Sequence, residues 1–414
     1  MPVRRPLVLA IAAAMALVPT LLPAQEAGLT LEWAVETALA RNPEILAARA
    51  RLDAARGRTL QFKSRPEPQL LAGVEGVPLP GLKNEGDETE VRLGIEQTFE
   101  YPGKRSTRED IGRQGEAMAS AELDRVGLLL AARVKRAYWK ASFAGAAAAA
   151  LERSSAQLEA LLEDLQSKYR NGAASYADVL RARADKARLR NQVLEQAKEK
   201  RTAELELGEL LGAAPDEPVV PQTALPFEPL QGDAAAMLER ARATLPSFRL
   251  SALRMEQAAS IVKLAGLSRR PDFLAGFFLP SLRTNAWGVS FGLTMPFLRP
   301  DRGKGAVMEA SAEAEAARLG AEALERRVRT AVETAFVAAK AAEEQVHVYE
   351  KSLLRELGDE LGIQLEYFRY GKTEAFSLLD LHRTYVLAQV EHLRALLLYN
   401  LALADLEVAG ESGE

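Results

Sequence analysis

The chain has 414 residues, of which 48% are hydrophobic, 27% charged and only 6% aromatic. A formal net charge of −4 argues against a nucleic-acid binder, and the absence of cysteine removes disulfides, thiolate nucleophiles and a lipidated N-terminal Cys. Abundant alanine favours long, closely packed helices over a bulky aromatic core.

Residues 1–24 read as a cleavable export signal. Arg4 and Arg5 form the basic region, Leu7 to Leu22 is almost wholly apolar, and Leu22-Pro23-Ala24 supplies a cut site. Removing this leader takes away two arginines and no acids, which moves the net charge from −4 to −6. Beyond it no apolar run approaches the ~20 residues of a membrane helix, so a helical span is excluded.

The remainder is written twice. Ala38, Ala40, Pro43, Arg51, Ala55, Pro68, Leu71, Ala72 and Gly73 recur as Ala241, Ala243, Pro246, Arg254, Ala258, Pro271, Leu274, Ala275 and Gly276, at an offset of 203 throughout. Val91, Gly94, Phe99 and Pro102 return as Val289, Gly292, Phe297 and Pro300 at 198, and Arg170, Gly172 and Leu180 as Arg369, Gly371 and Leu379 at 199. The first repeat occupies 25–212 and the second 233–414. Between them, residues 213–232 hold five prolines, the mark of an irregular connector.

Each half predicts the same order: a helix, two strands, a very long helix, a tight turn and a helix. The strands fall at about 70–99 and 273–297. Trp287, Val289, Phe291, Leu293, Met295 and Phe297 share one face, opposite Gly288, Ser290, Gly292, Thr294 and Pro296. Val91, Leu93, Ile95 and Phe99 oppose Arg92, Gly94, Glu96 and Thr98 in the first copy. An apolar face backed by a small or polar one is the signature of a membrane barrel strand. The preceding strands, 70–79 and 273–280, alternate less cleanly, because Leu71, Leu274 and Phe278 fall on the wrong face.

The long helix of the first half runs from Arg105 to Tyr169, about 98 Å at 1.5 Å per residue. Its seam is Leu130, Val134, Ala137, Ala141, Ala144, Ala148, Leu151, Ser155, Leu158, Leu162, Leu165 and Tyr169, a 3.5-residue period that specifies a coiled coil. In the second half Val328, Val332, Ala335, Ala339, Ala342, Val346, Tyr349 and Leu353 follow suit. The steps then change to four at Leu357, Leu361 and Leu365, a local change of winding. Gly172 and Gly371 end the long helices as left-handed caps. Ser175 and Asp178 form a capping box for the next helix, with Thr373 and Glu374 expected in similar roles.

Four strands cannot stand alone in lipid, since two open edges would leave backbone groups unpaired. Known single-chain barrels begin at about eight strands, so closure requires other copies; two copies would give eight strands and three would give twelve.

The duplicated motifs Tyr169-Arg-Asn-Gly172 with Ala177-Asp-Val-Leu180, and Phe368-Arg-Tyr-Gly371 with Phe376-Ser-Leu-Leu-Asp380, resemble those of the TolC-type outer-membrane efflux proteins over essentially the whole mature length. Glu96-Gln-Thr-Phe-Glu-Tyr-Pro-Gly-Lys-Arg105 and Leu378-Leu-Asp-Leu-His-Arg383 look most like the heavy-metal (CzcC-like) branch. The resemblance implies a mainly α fold with a small membrane β-barrel portion: a homotrimer with a twelve-stranded barrel in outer-membrane lipid and a long periplasmic coiled-coil α-barrel. It also implies docking to a periplasmic adaptor joined to an inner-membrane pump. The matching hairpin tips are Asn171, Gly172, Ala173 and Ala174, then Tyr370, Gly371, Lys372 and Thr373. The periplasmic aperture maps to Ser377 and Asp380, with Asp178 in the first copy; Ser377 replaces one of the family's two acids.

No catalytic, cofactor or metal site is expected. His382 and His392 are ten residues apart and, with His347, read as surface or interhelical side chains. Gly371-Lys372-Thr373 mimics the end of a phosphate loop, but Glu366 stands where that loop needs glycine. The function the resemblance implies is passive exit of substrates, heavy-metal cations or small toxic compounds. The alternative is a soluble periplasmic coiled-coil adaptor or scaffold.

Overall fold

The computed structural model describes residues 29–75, 90–280, 286–298, 300–350 and 353–411. The export signal and the outer parts of both strand hairpins lie outside the described residues.

Each half opens with two helices rather than the single one predicted. Helix α1 (Leu31–Arg41) is capped by Thr30, whose side chain accepts from the Trp33 amide, and α2 spans Pro43–Lys63. The break is dictated by proline. Pro43 forces Asn42 into an extended conformation (ψ 131°), and the Asn42 side chain then caps α2 by accepting from the Glu44 amide. The second half repeats this at Leu245-Pro246, between α5 (Ala234–Thr244) and α6 (Pro246–Leu267).

The strands β1 (Gln69–Glu75), β2 (Glu90–Phe99), β3 (Phe273–Phe278) and β4 (Gly288–Leu293) form one antiparallel sheet in the order β1-β2-β3-β4. The β2–β3 pairing joins the two halves, with Phe99 opposite Phe273 and Ile95 opposite Phe277. The alternation predicts a last strand reaching Phe297, yet the ladder ends at Leu293 and Pro296–Leu298 form a 3₁₀ turn. Pro296 lacks the amide that another ladder bond would need.

The register sorts the two faces. Leu70, Leu93, Ile95, Phe273, Phe277, Val289 and Phe291 all lie on one face, and every one of them is exposed. Gln97 is the polar exception, and its amide donates to the Pro66 and Thr98 carbonyls at 2.8 and 2.9 Å. On the other face, the three residues of the wrong parity fill space that glycine leaves. Leu71 and Phe278 flank Gly94, where a Cβ would sit 2.5 Å from Phe278 Cδ1, and Leu274 lies over Gly292.

Helix α3 (Lys104–Arg170) is 67 residues long, in agreement with the predicted rod. Ten of the twelve seam positions are buried, while Ser155 is half-buried and Tyr169 exposed. The buried surface is wider than a two-helix seam, because Tyr138, Ser142, Ala147, Ala150, Ser154 and Leu161 are buried as well. The cause is that α3 packs against α2, α6, α4 (Tyr176–Leu211) and α9 (Ala375–Glu407) rather than against one partner. Its alanines let those helices approach closely.

In the second half the described residues form α7 (Pro300–Glu350) and α8 (Leu353–Arg369), and α8 carries the four-residue steps Leu357, Leu361 and Leu365. Helix α9 (Ala375–Glu407) returns along both. The segment 213–232 runs as a strap across the helices. Leu29 bridges to Pro221, Tyr399 Oη donates to the Glu228 carbonyl at 2.5 Å, and Tyr138 Oη donates to the Leu29 carbonyl at 2.8 Å.

Where sheet meets helices, Asp272 holds three junctions. It accepts from the Tyr101 amide and from Lys104 Nζ, each at 2.7 Å, while its own amide donates to Thr294 Oγ1. Lys104 also donates to the Arg270 carbonyl and is nearly buried. A charge so desolvated is tolerable only because it is paired.

The contacts at Gly94 make a prediction. Gly94→Ala should destabilise the folded protein by about 1–3 kcal/mol, because Phe278 and the Phe277 carbonyl crowd the new methyl. Gly73→Ala, with open space around it, should stay within about 0.5 kcal/mol of the parent. Equal denaturation midpoints for the two variants would refute this account of the inner face.

Candidate functional site

Both hairpin tips form by the same local chemistry. Gly172 and Gly371 have φ of 73° and 72°, a left-handed conformation that glycine adopts without penalty. At the first tip the Gly172 amide bonds the Tyr169 carbonyl at 3.0 Å and the Ala173 amide the Lys168 carbonyl at 2.8 Å. At the second, Gly371 bonds Phe368 and Lys372 bonds Tyr367 at the same two distances. The expected glycine caps are therefore real in both copies.

The helix starts after the tips differ. Ser175 and Asp178 make the complete capping box: the Asp178 amide donates to Ser175 Oγ at 3.1 Å and the Ser175 amide to Asp178 Oδ2 at 3.4 Å. Thr373 and Glu374 do not repeat it. Glu374 is the N-cap of α9 without a side-chain bond, and Thr373 Oγ1 pairs with Gln364 Oε1 on α8 at 2.6 Å. Glutamate's extra methylene carries its carboxylate past the amides that serine or aspartate reaches.

The two tips stand side by side at one end of the molecule. One buried cluster unites Leu158, Leu162 and Leu165 of α3, Val179 of α4, Leu361 and Phe368 of α8, and Leu378 and Leu379 of α9. Lys168 Nζ donates to the Phe368 carbonyl and lies 4.0 Å from that ring's centroid. Arg181 lies over Phe376, at 5.3 Å. Two cations of the first hairpin thus rest on two rings of the second, an attraction that strengthens as water is excluded. Phe368 and Phe376 open the quoted motifs, but their pairing with Lys168 and Arg181 is not legible along the chain, because cation–ring pairs so far apart leave no periodic signal.

Of the tip residues, Asn171, Gly172, Ala173, Tyr370, Gly371 and Lys372 are exposed, and Tyr370 keeps 75% of its surface. Ala174 packs onto the shared cluster, and Thr373 is half-buried. Ser377 and Asp380 are exposed on the first turns of α9. Asp380 is not a bare charge, since Arg383 Nη2 lies 2.6 Å from it. Asp178 is half-buried, committed to its cap and 3.6 Å from Arg181. Among the described residues no group of acids and histidines has metal-ligand geometry, and no helix is long and apolar enough to cross a membrane.

All three histidines touch neighbouring elements. His347 meets Phe227, His392 meets Tyr349, and His382 is buried beside the Ser154 carbonyl. Burial pushes the His382 pKa down, opposed weakly by Ser154 and by Asp185 of α4, and Nε2 has no partner. A ring kept neutral in the fold makes the unfolded chain the better proton binder as pH falls through its ordinary value near 6.5. Stability should therefore drop as pH falls through 6.5 and below, and His382→Gln should shrink that drop in melting temperature. An identical pH dependence in the variant would show that His382 does not contribute.

Residues 34–213 match the model of the outer membrane efflux protein family. No curated protein matches the chain. Among solved structures, the outer-membrane channel OprN superposes with a TM-score of 0.75 at 20% identity, over 92% of this chain and 90% of that one. The CmeC outer membrane channel of Campylobacter jejuni gives 0.73 at 15% identity, over 93% and 87%. The open state of the MtrE outer membrane channel of Neisseria gonorrhoeae gives 0.72 at 19%, over 92% and 89%. The fold is that of these channels, an α-barrel body continued by β-barrel strands.

Proposed function

We propose that the chain is a TolC-type outer-membrane exit duct, one component of a tripartite efflux system, with a long periplasmic extension. The observation that carries this reading is the apolar face that crosses all four strands with Gln97 as its one polar residue, on a sheet with no partner at β1 or β4 among the described residues. Phe291 keeps 83% of its surface exposed and Leu70 81%. In water such a face would be a severe liability; in lipid it is the stable arrangement. Both open edges are satisfied when three copies close a barrel of twelve strands. The family match and the fold of known outer-membrane channels support the same reading. A soluble periplasmic scaffold would have no use for a two-sided sheet of this kind.

Mechanism here is passage, and no catalytic step is assigned to any residue. The hairpin tips, from Asn171 to Ala174 and from Tyr370 to Thr373, form the surface offered to a periplasmic adaptor, behind which an inner-membrane pump drives transport. Asp380 lines the periplasmic aperture with Ser377 nearby, while Asp178 contributes mainly as a cap. The motifs around Glu96–Arg105 and Leu378–Arg383 favour the heavy-metal branch, with cations as cargo.

The test is localisation and conductance. Protein expressed with its leader should sediment with the outer membrane, need detergent for extraction and form pores in planar bilayers. A folded monomer in plain buffer would overturn the proposal. Within those pores, Asp380→Asn should lower cation selectivity and Arg383→Gln should raise it, since the guanidinium now offsets the carboxylate beside it. Unchanged selectivity in both variants would remove Asp380 from the aperture.

A further inference from the structure

The four junctions between sheet and helices carry a collar of positive charge. Lys63 ends α2 and Arg65 follows it, Arg105 opens α3, Arg269 and Arg270 follow α6, and Arg302 and Lys304 open α7; all are exposed. The acids nearby do not cancel it. Glu100 is taken by Arg108 and Asp272 by Lys104, which leaves Glu67 and Asp301 as the exposed carboxylates of these turns.

At one place the collar becomes a built cleft. A cavity of about 960 Å³ is lined by Arg269, Arg270, Arg302, Met295 and Leu298. Gly303 makes it possible: a Cβ there would meet Arg269 Cγ at 2.9 Å, so glycine lets the start of α7 close on the Arg269 stem. Arg270 is steadied over the Tyr101 ring at 5.9 Å. None of the three guanidinium groups has a carboxylate partner among the described residues. On the sheet side, Met295 and Leu298 are 54% and 67% exposed and follow directly on Leu293, where the ladder and its apolar face end. The cleft is therefore cationic towards the helices and apolar towards the sheet.

We propose that this cleft binds the headgroup of an anionic phospholipid of the periplasmic leaflet, with the phosphate among the three guanidinium groups and the acyl chains along Met295, Leu298 and the sheet. The proposal rests on the membrane reading above. Guanidinium forks match phosphate oxygens, and the depth is that of a headgroup because it lies where the apolar band ends. The collar at the other three junctions would attract the same lipids without holding them in a defined site.

The test uses the mature protein in detergent, exchanged with equimolar phosphatidylglycerol and phosphatidylcholine and read by native mass spectrometry. The wild type should retain phosphatidylglycerol with a preference of about fivefold or more, and the triple variant R269Q/R270Q/R302Q should retain the two lipids nearly equally. Flotation with phosphatidylcholine vesicles reports insertion separately. If both proteins float and retain phosphatidylglycerol equally, the cleft does not bind it and the proposal falls while the membrane reading stands. If neither floats, the membrane reading itself fails and takes the proposal with it. Displacement of the lipid by millimolar inorganic phosphate would overturn the lipid assignment in favour of a simple anion site, such as one facing the lumen.

Discussion

A four-stranded sheet that is apolar across one face and, among the described residues, unpaired at both edges is not a stable object by itself, and that constraint organises the molecule. Each unpaired backbone group costs several kcal/mol in a medium without water, so the edges at β1 and β4 demand further strands. The apolar face demands hydrocarbon. Together they are what the proposed function answers with an oligomer in a membrane, before any detail of the helices is considered.

The central β2–β3 ladder then explains why duplication matters. A hairpin from either half supplies two strands; only the pairing of Phe99 with Phe273 and of Ile95 with Phe277 makes them one wall. The Asp272 cluster locks this wall to the helices below, since a single carboxylate serves Tyr101 and Lys104 of the first half while its own amide reaches Thr294 of the second. A buried cation at Lys104 is a costly device, and its partners restrict the junction to one geometry. At the far end the halves meet again, through apolar side chains of four helices and through Lys168 and Arg181 resting on Phe368 and Phe376. The chain is thus joined across its repeat at both extremes of a rod that α3 alone extends to about 100 Å.

Between those ends the buried surface is built largely of small residues. Ala137, Ala141, Ala144 and Ala148 occupy seam positions of α3 and are all buried. Small side chains lower the apolar area per residue but allow backbones to approach, so a wall one or two helices thick can be continuous. Tyr138 and Tyr399 each fix an irregular segment to that wall by a hydroxyl bond to a main-chain carbonyl. The strap is held by polar contacts at its edges and by Phe227 packed on Tyr399.

What the sequence determined by itself was everything carried by short-range periodicity. The two-residue alternation located the wall strands, the 3.5-residue seam located the long helices, and Gly172 and Gly371 marked the tips, because each depends only on neighbours within a few positions. Tertiary structure decided what depends on distant partners. Leu71, Leu274 and Phe278 look misplaced along the chain and become sound only when Gly94 and Gly292 arrive opposite them. Thr373 reads as a cap until it turns to Gln364 of the preceding helix instead. The closing of Arg269, Arg270 and Arg302 around one cleft likewise requires the ends of α6 and α7 to meet, and no local pattern records that meeting.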